Sequence, residues 1–142
     1  MQILIKCLAH PTEDTNRVQE AIENLFGSIP FKIFERDDLL EIISTELTTS
    51  NLVHIRQIIH DKRIIDAVRA RLNRNRDDLH SYILLDKQAA FVGKLRLLDN
   101  ENENPPLGPI EIDFTFLTES DFEEFLEWFT PPTKDGKIIS RE

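Results

Sequence analysis

Residues 50–76, SNLVHIRQIIHDKRIIDAVRARLNRNR, form the longest helical pattern in the chain, and strand-like alternation lies on both sides of it. A long amphipathic helix cannot bury its apolar stripe alone. With strands before and after it, the simplest partner is a sheet, which makes the fold class α+β. Leu52, Ile55 and Ile59 form one stripe, which resumes at Ile64/Ile65, Val68 and Leu72. The gap of five or six residues breaks the helical rhythm. It predicts a break between His60 and Asp61, with Asp61 capping a second helix that ends near Asn73.

The same stretch is the only strongly basic one. Between residues 56 and 76 stand Arg56, Lys62, Arg63, Arg69, Arg71, Arg74 and Arg76 against Asp61 and Asp66, a net of +5 in a chain of −9. Residues 1–55 carry four bases and nine acids, and residues 99–133 carry ten acids and no base. A pI near 4.9 argues against indiscriminate binding to nucleic acid or anionic membranes. Charge segregated in this way can still turn one face toward a polyanion while another repels it.

A length of 142 residues fits one domain, expected over residues 1–132 with a flexible tail at 133–142. The single cysteine, Cys7, excludes an intramolecular disulfide and a cysteine-based metal site. The apolar run at the N-terminus is far shorter than the ~20 residues of a membrane span and lacks a basic start and a cleavable site. It reads as the first strand of a cytoplasmic protein.

In chain order, residues 2–9 are a strand with apolar residues on both faces, hence central. Thr12 reads as the cap of a helix through Val18, Ala21, Ile22, Leu25 and Phe26 that stops at Gly27. Residues 31–36 and 39–47 read as two strands around an Asp37-Asp38 turn. Residues 80–86 are a strand, 87–90 a turn or one helical turn, and 91–98 a strand with Lys94 and Arg96 outward. A polar loop at 99–108 precedes the last strand, with Ile110, Ile112, Phe114 and Phe116 inward. Thr118 caps a closing helix with a stripe of Phe122, Phe125, Leu126 and Phe129, ended by Thr130-Pro131-Pro132. An Asp135-Gly136 turn follows. The order is β-α-β-β-α-β-β-β-α, a mostly antiparallel sheet with helices on one face.

On a continuous helix Lys62, Arg69 and Arg76 lie seven apart and line one exposed flank, with Arg63 and Arg74 on the other. Such a flank suits backbone phosphates. The plainer reading is a solvated face, with Asp66 pairing Lys62 and Arg69 inside the helix. If 91–98 and 109–117 form a hairpin, Lys94 faces Asp113 and Arg96 faces Glu111, which is ordinary sheet stabilisation. Only another register frees them for a ligand. His10, His54, His60 and His80 show no metal-ligand spacing, and no phosphate-cradling or nucleophile motif is present. Neither cofactor nor catalysis is expected. The acidic residues Glu119, Asp121, Glu123, Glu124 and Glu127 read as a solvated face or as a patch for a basic surface, including a second copy's.

Several strings, taken together, carry a resemblance: Pro11-Thr12-Glu13-Asp14, Arg63-Ile64-Ile65-Asp66-Ala67-Val68-Arg69, Lys87-Gln88-Ala89-Ala90-Phe91-Val92-Gly93-Lys94, Leu107-Gly108-Pro109-Ile110 and Thr130-Pro131-Pro132-Thr133. In this order they resemble an uncharacterised family of small archaeal proteins, grouped with predicted RNA-binding, exosome-associated relatives. The resemblance implies a fold similar to that of the large-subunit ribosomal protein that grips 5S ribosomal RNA. It carries RNA binding to Arg63, Arg69, Lys87 and Lys94, and implies no catalytic residue.

The function expected is that of a non-catalytic RNA-binding accessory protein. Arg56, Lys62, Arg63, Arg69, Arg71, Arg74 and Arg76 would meet phosphates, joined by Lys87, Lys94 and Arg96 where they project from the sheet. Free aromatic faces are scarce, so shape and backbone recognition is expected over sequence reading. The alternative is an assembly module that binds a protein partner or forms a homodimer through its polarised surface.

Overall fold

Alternation over residues 2–9 places Ile3, Ile5, Cys7 and Ala9 on one face, and all four are buried in the computed structural model of the chain. The structure describes residues 1–99, 105, 107–134, 137 and 138. The strand Gln2–Ala9 (β1) is the middle of a five-stranded sheet. It pairs antiparallel with Leu39–Ser44 (β3) on one side and Pro109–Thr115 (β5) on the other. Lys32–Arg36 (β2) closes the β3 edge and His80–Asp86 (β4) the β5 edge. Each pairing is antiparallel, as expected, and β1 is central, as its two apolar faces imply.

The inward face carries Ile42 of β3, Ile83 and Leu85 of β4, and Ile110, Ile112 and Phe114 of β5, none more than 1% exposed. Helices Thr15–Phe26 (α1), Val53–Lys62 (α2), Ile65–Arg74 (α3) and Glu119–Phe129 (α5) contribute the apolar stripes of the same core. Phe114, Phe116, Phe122, Phe125 and Phe129 form an aromatic cluster with centroid separations of 4.9–6.2 Å. Such ring pairs add stability beyond the area they bury. The α+β class, the antiparallel sheet and the covered face agree with the sequence.

Local signals were displaced where side chains competed. Asp14, not Thr12, caps α1 by accepting from Asn16 N–H, so Glu13 lies outside the helix. Thr48 caps a short 3-10 turn ahead of α2, its backbone N–H donating to Asn51 Oδ1 at 2.9 Å. The break in the basic stretch falls at Arg63, three residues beyond His60, and Asp61 caps nothing. The carbonyls of His60 and Ile59 accept from Arg63 N–H, so α2 runs on until a left-handed residue closes it. The second strand of the hairpin ends at Ser44 rather than at 47.

The largest difference is at residues 91–98. They alternate like a strand but begin inside the short helix Lys87–Phe91 (α4). Gly93, at φ +76, then turns the chain. Only Leu97 bridges to Leu85, and Leu98 N–H donates to Leu84 at 2.9 Å. The segment covers the β4 edge without extending the sheet. The hairpin with 109–117 does not form, because β5 lies between β1 and β4 with both edges occupied. Of the expected loop 99–108, residues 100–104 and 106 lie outside the described residues, as does the Asp135-Gly136 turn. Thr133–Lys134 (β6) and Lys137–Ile138 (β7) pair as a two-residue ladder.

One buried ion pair ties this arrangement together. Lys87 is 0% exposed, and its Nζ donates to Leu8 O at 2.8 Å, Leu107 O at 2.7 Å and Glu13 Oε1 at 2.9 Å. Glu13 Oε1 also accepts from His10 N–H at 2.9 Å. Burial pushes the Glu13 carboxyl up, but the His10 N–H and the Lys87 ammonium outweigh it and hold the group below its usual value.

Removing one partner of such a pair is costly, so Lys87→Met is expected to lower the unfolding free energy by about 3 kcal/mol. Urea denaturation measures this, and a loss below about 1 kcal/mol would contradict it. The depressed carboxyl also sets a pH dependence. Its contribution is complete above the unfolded value of about 4.3 and is lost as pH falls through the lower folded value. The stability gap between the parent chain and Glu13→Gln is therefore expected to be widest at neutral pH and to close toward about pH 3. Urea midpoints at both pH values read the gap.

Candidate nucleic-acid interface

Much of the basic stretch serves the acidic closing helix. Arg56 Nε donates to the Trp128 carbonyl at 2.7 Å and its guanidinium lies 5.0 Å from the Trp128 ring centroid. His60 Nε2 sits 3.0 Å from the Phe129 carbonyl. Both satisfy the open carbonyls at the negative end of α5. At the other end, Arg76 pairs with Glu119 at 2.5 Å and lies 4.4 Å from the Phe122 ring centroid. The Glu119 carboxyl is lowered by this hydrogen bond and charge. Arg71 reaches Asp99 at 3.5 Å and Arg74 reaches the same oxygen at 4.0 Å.

The break at Arg63 also dissolves the expected flank of Lys62, Arg69 and Arg76. Lys62 ends α2, Arg69 belongs to α3, and Arg76 lies beyond the end of α3 at Arg74. Asp66 is hydrogen-bonded by the Thr133 hydroxyl, and among the described residues it forms no ion pair with Lys62 or Arg69. Lys87 does not project from the sheet at all. It is sealed in the core because its ammonium is the donor for three buried oxygens.

What the fold does assemble is a groove of about 340 Å³ between the α2–α3 junction and the segment after α4. Ile64, Ala67, Ala89, Leu95 and Leu97 form its apolar wall, and Lys62, Lys94 and Arg96 are its charged lining. No acid lines it. Lys62 and Lys94 are exposed, and neither has a carboxylate within ion-pair distance among the described residues. Arg96 reaches Asp86 at 3.2 Å while remaining 51% exposed. Arg63, next to Lys62, is exposed as well. The groove brings together bases some thirty residues apart in sequence. A strand at 91–98 would instead have set Lys94 and Arg96 against Asp113 and Glu111. Those acids pair with Lys6 instead, at 3.6 and 3.0 Å.

The uncovered sheet face is a poor phosphate platform. Glu41, Glu111 and Asp113 stand on it around Lys6. Burial and the neighbouring Asp113 raise the Glu111 carboxyl, and Lys6 opposes them. Its aromatics, Phe34 on β2 and Tyr82 on β4, sit on opposite edge strands, four strand spacings or roughly 19 Å apart. Consecutive bases cannot stack on both.

Residues 2–116 match a family model described as RNA binding. The chain belongs to that family. It is 32% identical over 138 residues to a UPF0201 protein of Metallosphaera sedula, covering 97% of this chain and 93% of the relative. The crystal structure of a UPF0201 protein from Methanococcus jannaschii superimposes with a TM-score of 0.82 at 26% identity, over 99% of this chain and 100% of that one. In Archaeoglobus fulgidus, a UPF0200/UPF0201 protein is 31% identical over 139 residues, covering 98% of this chain but 40% of the longer relative. The resemblance drawn from the short strings therefore holds across the chain. Among the described residues no helix is long and apolar enough to cross a membrane.

Arg63 offers a local test of how the groove is held. It occupies the left-handed region at φ 61°, ψ 40°, which costs an L-residue roughly 1–2 kcal/mol. Arg63→Val is expected to unfold at a lower temperature than Arg63→Gly, by the equivalent of at least about 1 kcal/mol. Equal melting temperatures would show that α2 does not need this closure.

Proposed function

We propose that this chain is a non-catalytic RNA-binding accessory protein whose phosphate-contacting surface is the groove lined by Lys62, Lys94 and Arg96, with Arg63 beside it. The observation that carries the reading is the convergence of these bases, with no acid in the lining, on a protein of net charge −9. The family description names RNA binding and no reaction. Exposed ammonium groups without a carboxylate partner can exchange counterions for phosphates, which gives affinity with little sequence information. The acidic sheet face and α5 would keep a polyanion off the rest of the surface and so orient it.

Arg69, half-buried on α3, does not line the groove and is assigned no direct role. Arg56, Arg71, Arg74 and Arg76 are committed to intramolecular partners and are assigned no direct role. A second reading, an assembly module, is favoured by the Archaeoglobus fulgidus relative, of which a chain like this occupies only 40%.

Fluorescence anisotropy with structured and single-stranded RNA across a salt series tests the first reading. The parent chain is expected to bind with a steep salt dependence. Lys62→Glu/Lys94→Glu should bind at least about tenfold more weakly, with the log–log salt slope reduced by about 1.4 on single strands. Lys32→Glu/Arg36→Glu, at the far sheet edge, should bind like the parent. Circular dichroism confirms folding of each variant. Absence of binding by the parent at low salt, or equal binding by both double variants, would overturn the assignment.

A further inference from the structure

At the end of the sheet opposite the basic groove, Met1, Leu117, Phe125 and Trp128 enclose an apolar groove of about 520 Å³. Its acidic lining is Asp121 and Glu124, and no base lines it. Leu117, at 79%, is the most exposed large apolar residue among those described, and Met1, at 37%, is exposed beside it. Burying them in water-free contact is favourable at roughly 25 cal/mol per Å².

We infer that this groove is a docking site for a cationic amphipathic helix of a partner protein. Three features select that occupant. The acids repel phosphate and attract Lys or Arg, which excludes a second RNA surface and sets the sign of the partner's charge. The apolar floor requires a partner with an apolar face. The α5 side of the groove is built from Asp121 and Phe125, and from Glu124 and Trp128, two rows of i, i+4 spacing. Rows of this kind are the ridges between which another helix packs. The chain already shows the pairing internally, since the Arg56 guanidinium lies 5.0 Å from the Trp128 ring centroid. A cation from outside would find the same indole within reach of two carboxylates. The inference gives the assembly reading a surface and a partner chemistry, and it is independent of RNA binding at the other end.

Trp128 is the only tryptophan in the chain, so its emission reports directly on the groove. The probes are a synthetic helical peptide with leucines on one face and lysines on the other, and its leucine–glutamate counterpart. The leucine–lysine peptide is expected to change Trp128 emission saturably, and the leucine–glutamate peptide to leave it unchanged. Leu117→Asp and Glu124→Lys should each weaken binding at least about tenfold, a difference of about 1.4 kcal/mol. Glu20→Lys, which removes an exposed acid on α1, should bind like the parent, as should Lys62→Glu/Lys94→Glu. Equal binding of both peptides would mean indiscriminate apolar adhesion, and equal weakening by Glu20→Lys would mean general charge attraction. Either result overturns the inference, as does quenching of Trp128 by RNA in place of the leucine–lysine peptide. Loss of RNA binding in the anisotropy experiment with peptide binding intact would remove the phosphate reading and leave this one standing.

Discussion

The Lys87 ammonium is the contact on which the architecture converges. It is taken out of water at the start of a five-residue helix and shared between the end of β1, Glu13 just ahead of the α1 cap, and the turn entering β5. An isolated ammonium could not be buried there, since desolvation would cost several kcal/mol. Glu13 supplies the opposite charge and two carbonyls supply the remaining acceptors. Three stretches distant in sequence, around residues 8–13, 87 and 107, must therefore be in place together. A hydrophobic residue would fill the same volume without demanding that geometry. The node also explains why Glu13 is not in the first turn of α1. Its carboxylate is needed by Lys87 and His10, and Asp14 takes over the cap.

Charge segregation has a similar internal logic. The acidic closing helix is gripped at both ends by the basic stretch, through Glu119 at its start and the Trp128 and Phe129 carbonyls at its finish. Most of the polarity visible in the sequence is thus answered within the molecule, and only part remains for a ligand. The exposed remainder is spatially sorted. Lys62 and Lys94 meet Arg96, itself paired with Asp86, at one end of the sheet, while Asp121 and Glu124 border an apolar groove at the other. On the two proposed readings, one end takes a polyanion and the other a protein, and neither competes for the other's surface.

The open sheet face is not the surface proposed for RNA. In folds that read single strands, adjacent aromatics on the open face stack successive bases. Here the open face has Lys6 held between Glu111 and Asp113, and its two aromatics stand on opposite edges. Family membership and fold likeness therefore do not carry the usual surface with them, because function depends on which side chains the strands present. The recognition proposed here lies at helix and loop junctions instead.

Local patterning by itself determined the class of the fold, the central place of β1, the strands at 80–86 and 109–115, the closing helix with its Thr118 cap, and the core stripes of the helices and the last strand. Those features follow from local alternation between burial and exposure, which one residue's neighbours in sequence are enough to set. The interrupted stripe after Ile59 likewise announced two helices. What only the tertiary structure decided was where competing partners send a side chain. Residues 91–98 alternate like a strand, yet β5 was already flanked on both edges, so the segment lies across the β4 edge and turns Lys94 and Arg96 outward. Lys87 reads as one more surface base until Glu13 and two carbonyls, distant in sequence, enclose it. On a helical wheel the bases of the middle stretch sort only into two exposed flanks, Lys62, Arg69 and Arg76 on one and Arg63 and Arg74 on the other. The left-handed turn at Arg63 and the carboxylates and carbonyls of α5 then separate those spent on folding from those that stay exposed, because ion pairing depends on distances across space that sequence spacing does not encode.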